Sequence, residues 1–343
     1  MIQAIPIFIL GCISICQPAG SQTQSFDKVK FFNDTSVITA TITTNTRNLF
    51  GPYKKKGFSL PAAFTASLDG KIINDSLLLE VRGKFRREYC YVPPLKLNFK
   101  YRSTAVLYSL KSLKLVSECR PNKYYEQFLL KEFLIYKIYN LLTDKSFRVR
   151  LLQLNFEDIS GRKNSLFEYA FLLEDLTDLA KRNHCIEWKK PRLRQEATDR
   201  RQMTLVSIFE YMIGNTDWSV TGGHNTCQIV STDDPLAVPL PVPYDFDFSG
   251  LVATDYSIPD EKLDIENVKQ RLYRGYPRSP EEINEVLDIF KQQKEHIYTL
   301  INNFNLLSTA SKKQMIGYLD EFYISIGKPG NVISVFITNA RSY

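Results

Sequence analysis

The chain has 343 residues, of which 44% are hydrophobic and 24% charged, and carries a net charge of +7. This is ordinary globular composition, long enough for two lobes or domains, and it excludes a disordered or repeat-built chain. The positive balance suits a polyanionic ligand such as a nucleotide, or an acidic protein substrate; the basic residues are dispersed and form no nucleic-acid-binding module, so nucleic acid is not expected as a partner.

Residues 1–26 carry no charge, and Ile2 to Cys16 is mostly apolar. That run is short for a bilayer span and ends in Pro18-Ala19-Gly20-Ser21, small residues of the kind that precede signal cleavage. Residues 1–21 are therefore read as an export signal, giving a secreted or periplasmic mature chain with no transmembrane span. Ile9-Leu10-Gly11-Cys12 loosely follows a lipoprotein box, and lipid anchoring at Cys12 is the second reading. Four cysteines then remain, Cys90, Cys119, Cys185 and Cys227. An exported chain with that count admits two disulfides, and Cys90 with Cys119 is the pair chosen because both fall in the first lobe. Their spacing is not that of a zinc site.

The first third predicts an antiparallel sheet. Ser36 to Thr44 is β-branched and alternating, and Phe58 to Leu68, Leu77 to Arg82 and Leu95 to Lys100 continue the pattern between turn residues. Arg82-Gly83-Lys84-Phe85-Arg86-Arg87 interrupts it with a glycine among basic residues. Beyond Pro93-Pro94, Leu95, Leu97 and Phe99 share one strand face, which puts Lys96 and Asn98 on the other. No glycine-rich phosphate loop is present. Arg82 and Lys96 are the cations placed to neutralise phosphates.

An apolar helix over Tyr124 to Leu142 follows, with Phe128, Ile135, Ile138 and Leu142 at helical spacing and Glu132 in its middle. A carboxylate there can pair with the strand lysine, as in kinases the helix Glu pairs with the nucleotide-binding Lys. Glu126 is the alternative for that role. Strands over Phe147 to Phe156 and Ser165 to Leu173 form a hairpin that runs into the helical second half, so Phe171 to Glu174 is a candidate lining for an adenine pocket.

From Thr177 onward helices are expected to dominate: Gln202 to Ile213, Glu281 to Phe304 opened by Ser279-Pro280, and Ser311 to Ile326. Between them lies the stretch with the most chemistry. Gly214-Asn215-Thr216-Asp217-Trp218 is followed by Gly222-Gly223-His224-Asn225 and then by Pro243-Tyr244-Asp245-Phe246-Asp247-Phe248. Kinase-type phosphoryl transfer uses these residue types in this order: a carboxylate to orient the attacking hydroxyl, then an Asn and an Asp to hold the metal ions that bridge the phosphates. The usual spacing from Asp to Asn is five residues, whereas 225 − 217 gives eight, an excess that the two glycines can absorb as a small insertion. A metal-dependent hydrolase also uses clustered carboxylates, but the three histidines, His184, His224 and His296, fall at no ligand spacing.

Val81-Arg82-Gly83, Pro94-Leu95-Lys96-Leu97-Asn98-Phe99, Phe171-Leu172-Leu173-Glu174, the Asn215 to Asn225 segment and Tyr244-Asp245-Phe246-Asp247 occur in an order that resembles the spore coat protein CotH-like family of atypical secreted kinases, over roughly residues 35–305. The resemblance implies an α+β, two-lobed protein-kinase-like fold, with an antiparallel sheet N-lobe over residues 30–176 and a mostly helical C-lobe over 177–343. It implies ATP with Mg2+ or Mn2+ as cofactors and protein serine as acceptor, in a protein partner of the cell envelope or exterior. On this likeness Asp217 orients the substrate hydroxyl, Asn225 and Asp245 are metal ligands with Asp247 a second carboxylate, and Arg82 and Lys96 contact phosphate. His224 or Asp247 is the replacement should Asn225 not ligate. A surface binding protein of the same fold without the chemistry is the alternative.

Overall fold

The structure, a computed structural model, describes residues 28–51, 55–68, 70–99, 105–161, 164–190 and 193–341; the export signal and Cys12 lie outside them. In chain order the first half holds α1 (Lys28–Asn33), β1 (Ile38–Thr44), α2 (Thr46–Phe50), β2 (Ser59–Leu68), β3 (Lys71–Val81), α3 (Phe85–Tyr89), β4 (Leu95–Asn98), α4 (Ala105–Tyr108), β5 (Ser112–Ser117), α5 (Lys123–Leu142), β6 (Val149–Asp158) and β7 (Leu166–Leu173). The second half holds α6 (Leu176–Arg182), β8 (Cys185–Glu187), α7 (Arg200–Ile213), β9 (Thr226–Ser231), β10 (Leu240–Pro243), α8 (Pro280–Asn302), α9 (Thr309–Ile326) and α10 (Pro329–Ile333).

The seven strands of the first half close into a barrel in the order β1-β2-β3-β4-β5-β7-β6. Closure comes from a parallel pairing of β1 with β6, in register from Ile38 opposite Leu152 to Thr44 opposite Asp158. The other ladders are antiparallel. Strand alternation then sends Ile38, Ala40 and Ile42, Leu77 and Leu79, Leu95 and Leu97, Leu113 and Leu115, Leu152 and Leu154, and Ala170 and Leu172 into one apolar interior. Each fully buried Leu or Ile contributes roughly 1.5–3 kcal/mol.

The two-lobed kinase-like fold is overturned by this topology. In place of an antiparallel sheet lobe there is a closed, mixed seven-stranded barrel, and the second half is not simply helical, because β8, β9 and β10 form a three-stranded sheet in the order β10-β9-β8. The expectation failed at pairings that local pattern does not specify: β1 and β6 are more than a hundred residues apart, as the Ile38 to Leu152 register shows, and β5 reaches β7 across α5 and β6.

Helix α5 is the bridge between the halves. Asn122 caps it, its side chain accepting from the backbone N–H of Tyr124 and Tyr125 at 3.1 Å. Its buried residues pack on β6 and β7 on one side and on α8 and α9 on the other. A disulfide joins Cys90, just after α3, to Cys119, just before α5, while Cys185 and Cys227 are free thiols. Tyr91 donates its backbone N–H to the Cys119 carbonyl beside it at 2.8 Å, so the basic segment around α3 is tied to the end of β5. Among the described residues no helix is long and apolar enough to cross a membrane.

Candidate functional site

Two glycines bring the chemistry-bearing loops together. Helix α7, capped by Asp199 through Gln202 N–H at 2.7 Å, ends at Gly214, which takes φ 68° as its left-handed C-cap. Gly250 N–H donates to the Gly214 carbonyl at 3.0 Å, and Leu251 N–H to that of Ile213 at 2.9 Å. A Cβ on Gly214 would lie 2.0 Å from the Tyr318 hydroxyl, and one on Gly250 would lie 2.4 Å from the Val268 carbonyl. Only glycine permits this approach, and it sets the Asp217 loop directly against the Asp245 loop.

Each loop is then fixed from within. Asp217 N–H donates to the Asn215 side chain at 3.0 Å, an Asx turn. Arg274 donates to the carbonyls on either side of Asp217, those of Thr216 and, at 2.9 Å, Trp218. The three-residue excess between Asp217 and Asn225 is folded into a tight loop: Ser219 and His224 exchange backbone hydrogen bonds at 2.8 and 2.9 Å, and Gly223 turns the tip at φ 58°. The result is that Asn225 still reaches Asp217, donating to its carboxylate at 3.0 Å and to its carbonyl at 2.7 Å. The loop also delivers His224, whose Nε2 lies 2.9 Å from Asp217 Oδ1. Asp245 is held by its backbone, its N–H donating at 2.8 Å to the hydroxyl of Tyr136 on α5.

A cleft of ≈ 510 Å³ runs between these loops and the segment that starts at Arg82. Asp217, His224, Asn225, Asp245 and Asp247 line one side, and Arg82, Lys84, Phe85 and Arg86 the other. Arg82 lies along the adjoining strands β4 and β5, donating from Nε to the Leu95 carbonyl at 3.0 Å and from Nη2 towards that of Leu115 at 3.5 Å. Burial lowers its pKa from the ordinary guanidinium value, and the nearby Asp245 opposes this. Arg86 reaches deeper, donating to the Ser117 carbonyl and lying 3.8 Å from Glu132 and 3.9 Å from Asp247. Asp247 also accepts from the Tyr256 hydroxyl at 3.0 Å. Burial, and after it the charge of Asp245, pushes the Asp247 carboxyl up to about 7 against the pull of Arg86. The same burial holds Glu132 well above the usual carboxylate range.

Of the residues singled out from the sequence, Arg82, Asp217, Asn225, Asp245 and Asp247 share this cleft. Glu132 stands behind it, partnered by Arg86 and not by the strand lysine. Lys96 does not line the cleft; on β4 it stands between Glu80 of β3 and Lys114 of β5. Phe171 to Leu173 lie inside the barrel wall, hydrogen-bonded to β5 on one side and β6 on the other, and line no part of the cleft. Sequence reading missed Arg86, although the basic run around Gly83 carried the signal. It also missed Phe85, which lies in the same run, and Tyr256 and Arg274, for which the linear order holds no cue.

Among the described residues no three His, Cys, Asp or Glu side chains are grouped to hold a metal ion. A hard cation such as Mg2+ is commonly taken by one or two carboxylates together with substrate phosphates, so a preassembled protein cage is not required. The oxygens suited to it are the Asp245 carboxylate, for which the described residues provide no hydrogen bond, and the Asn225 side-chain oxygen, whose amide nitrogen is spent on Asp217. Both residues sit at positive φ, 67° and 51°, a conformation that costs of order 1–3 kcal/mol and clusters at functional sites.

Fold and site together define a barrel-and-helix protein with an acidic cleft faced by arginines. No protein-family model matches the chain, and no curated protein matches it; the likeness to the CotH-like family rests on the short motifs alone.

Proposed function

We propose that the chain is an exported phosphotransferase that moves the γ-phosphoryl group of ATP to a hydroxyl of a protein serine or threonine, with a divalent metal ion. The observation that carries this reading is the convergence of Asp217, Asn225, Asp245 and Asp247 on one cleft whose opposite wall supplies Arg82 and Arg86. The arginines suit phosphate oxygens, which they bind with charge-assisted hydrogen bonds. Asn225 and Asp245 would hold the metal ion, which would supply positive charge to neutralise the phosphates. Asp217 orients the acceptor hydroxyl and receives its proton as the oxygen attacks the γ-phosphorus. The bond from that phosphorus to the β–γ bridging oxygen breaks, and ADP leaves with the electron pair. The Cys90–Cys119 disulfide supports an oxidising compartment, and with it a protein partner in the envelope or outside the cell.

The test is incubation of the protein with γ-labelled ATP, Mg2+ or Mn2+ and a degenerate mixture of Ser- and Thr-containing peptides. Label should reach the peptides with the native chain and fail to do so with Asp217→Asn and with Asp245→Asn, both remaining folded. Transfer retained by either variant contradicts the role assigned to that residue. A nucleotide-binding protein without transfer is the second reading; it is favoured by the engagement of both Asp217 carboxylate oxygens, with His224 and with Asn225.

A further inference from the structure

We infer that the base of the bound nucleotide stacks on Phe85 at the aromatic end of the cleft, and that the site accepts ATP and GTP alike. The inference rests on the phosphoryl-transfer reading and extends it to base recognition.

A backbone edge for hydrogen-bonding a purine is closed off where the sequence suggested one. Strand β7 is an inner strand: Phe171 is paired with Val116 and with Leu151, and Leu173 with Lys114 and with Val149. At Glu174 the N–H donates to the Arg148 carbonyl at 3.0 Å, and the carboxylate accepts from Arg182 at 2.9 Å. This stretch is 0–6% exposed.

The cleft offers a different surface. Phe85, Phe248 and Tyr256 form one ring cluster, with centroids 5.7 Å from Phe85 to each of the other two and 5.8 Å between those two. The cluster adjoins the acidic loops through the Tyr256 hydroxyl on Asp247. Phe85 is stacked on Tyr89 at 5.3 Å with 14° between the planes, yet remains 45% exposed. An exposed ring on a charged cleft, one residue from Arg86, is where a flat base would lie while its phosphates meet Arg82, Arg86 and the acidic loops.

Selectivity follows from what the cluster lacks. Discrimination between bases needs positioned donors and acceptors, left unpaired by the wrong ligand. Of the cluster's cleft-lining rings only Tyr256 carries a polar group, and that hydroxyl already donates to Asp247. Stacking is tolerant because every base presents a π-face.

The experiment is calorimetric titration of the full chain, in Mg2+, with ATP, GTP and inorganic tripolyphosphate. ATP and GTP should bind within about threefold of each other and tripolyphosphate about tenfold more weakly, as expected from the contribution of one stacked base. Phe85→Ala should remove that tenfold advantage for both nucleotides and leave tripolyphosphate unchanged; Phe85→Trp should restore it, and Phe85→Leu, which keeps apolar bulk without a π-face, should not. Preference for ATP over GTP beyond about tenfold, or unaltered nucleotide binding in Phe85→Ala, overturns the inference while leaving the phosphoryl-transfer reading intact. Failure of all three ligands to bind overturns both.

Discussion

The barrel interior and the adjoining cleft obey opposite rules. Leu97, Leu115 and Phe156 are wholly buried among apolar neighbours, and no described residue of the barrel strands has a positive φ. The cleft gathers four acidic or amide side chains and two arginines, holds Asn225 and Asp245 in the left-handed region, and keeps Asp247 at an elevated pKa. Local propensity and backbone conformation agree in the barrel and conflict in the cleft; the barrel's own exception is Glu168 on β7, a buried carboxylate whose oxygens find no hydrogen-bond partner among the described residues. Such conflicts persist where function retains them and surrounding structure offsets them. The barrel therefore stabilises a site that is itself costly to fold, and substitutions in the two regions should separate stability from activity.

The largest effect is expected at the reacting group. Asp217→Asn should lower phosphoryl transfer by about 10²–10⁴-fold, with thermal unfolding close to that of the native chain; a large loss of stability would mean that Asp217 belongs to the structural half of the comparison. In the barrel, Leu115→Ala should lower unfolding free energy by about 3 kcal/mol in denaturant titration, with nucleotide affinity of the folded fraction unchanged. Coupled loss of affinity would show that the barrel shapes the cleft more directly than by supporting it.

Titration gives a third contrast. Asp247 carries a folded-state pKa of about 7 against 3.8 for the ordinary group. Between about pH 4 and 7 the folded chain keeps a proton that the unfolded chain has lost, so this group costs stability as pH rises through that window. Asp247→Asn should gain stability relative to the native chain by on the order of 2 kcal/mol from pH 5 to pH 8. A pH-independent difference would remove Asp247 from the costly set. The smallest effect tests strain. Asp245→Gly, at φ 67°, should raise stability by about 1 kcal/mol while eliminating metal-dependent nucleotide binding; a loss of stability would show that the Asp245 side chain supports the fold.

Most elements are legible in the sequence because they follow from local alternation and helical spacing. Alternation predicts β1 over Ser36 to Thr44, and it spans Ile38–Thr44; helical spacing predicts α5 over Tyr124 to Leu142, and it spans Lys123–Leu142. The pairing expected for Cys90 and Cys119 is the disulfide that forms. Barrel closure is not legible, since pairing of β1 with β6 is decided by the three-dimensional meeting of a β-branched strand with a leucine-rich one far along the chain. β5 goes unread although Leu113 and Leu115 alternate with Ser112 and Lys114, because the alternation stops there and Leu115, Val116 and Ser117 are all buried. In the site, the order Asp217, Asn225, Asp245 is readable as chemistry, and these residues do meet. Of the two cations expected at phosphate, Arg82 lines the cleft and Lys96 does not, while Arg86 does; Lys96 and Arg86 differ in neighbours more than in charge. What brings Arg86 to the cleft is the Cys90–Cys119 tether and the carbonyl of Ser117, both long-range features.

The most direct test of the central claim, that the cleft is a metal-dependent nucleotide site, is thermal unfolding of the protein with and without ATP and Mg2+, for the native chain and Asp245→Asn. Ligand at about a hundred times its dissociation constant stabilises the folded state by ~2.7 kcal/mol, which raises the midpoint by several degrees in a chain of this size. That rise is expected in the native chain, with dependence on the metal, and its loss is expected in Asp245→Asn. No shift in the native chain, or an equal shift in the variant, would contradict the claim.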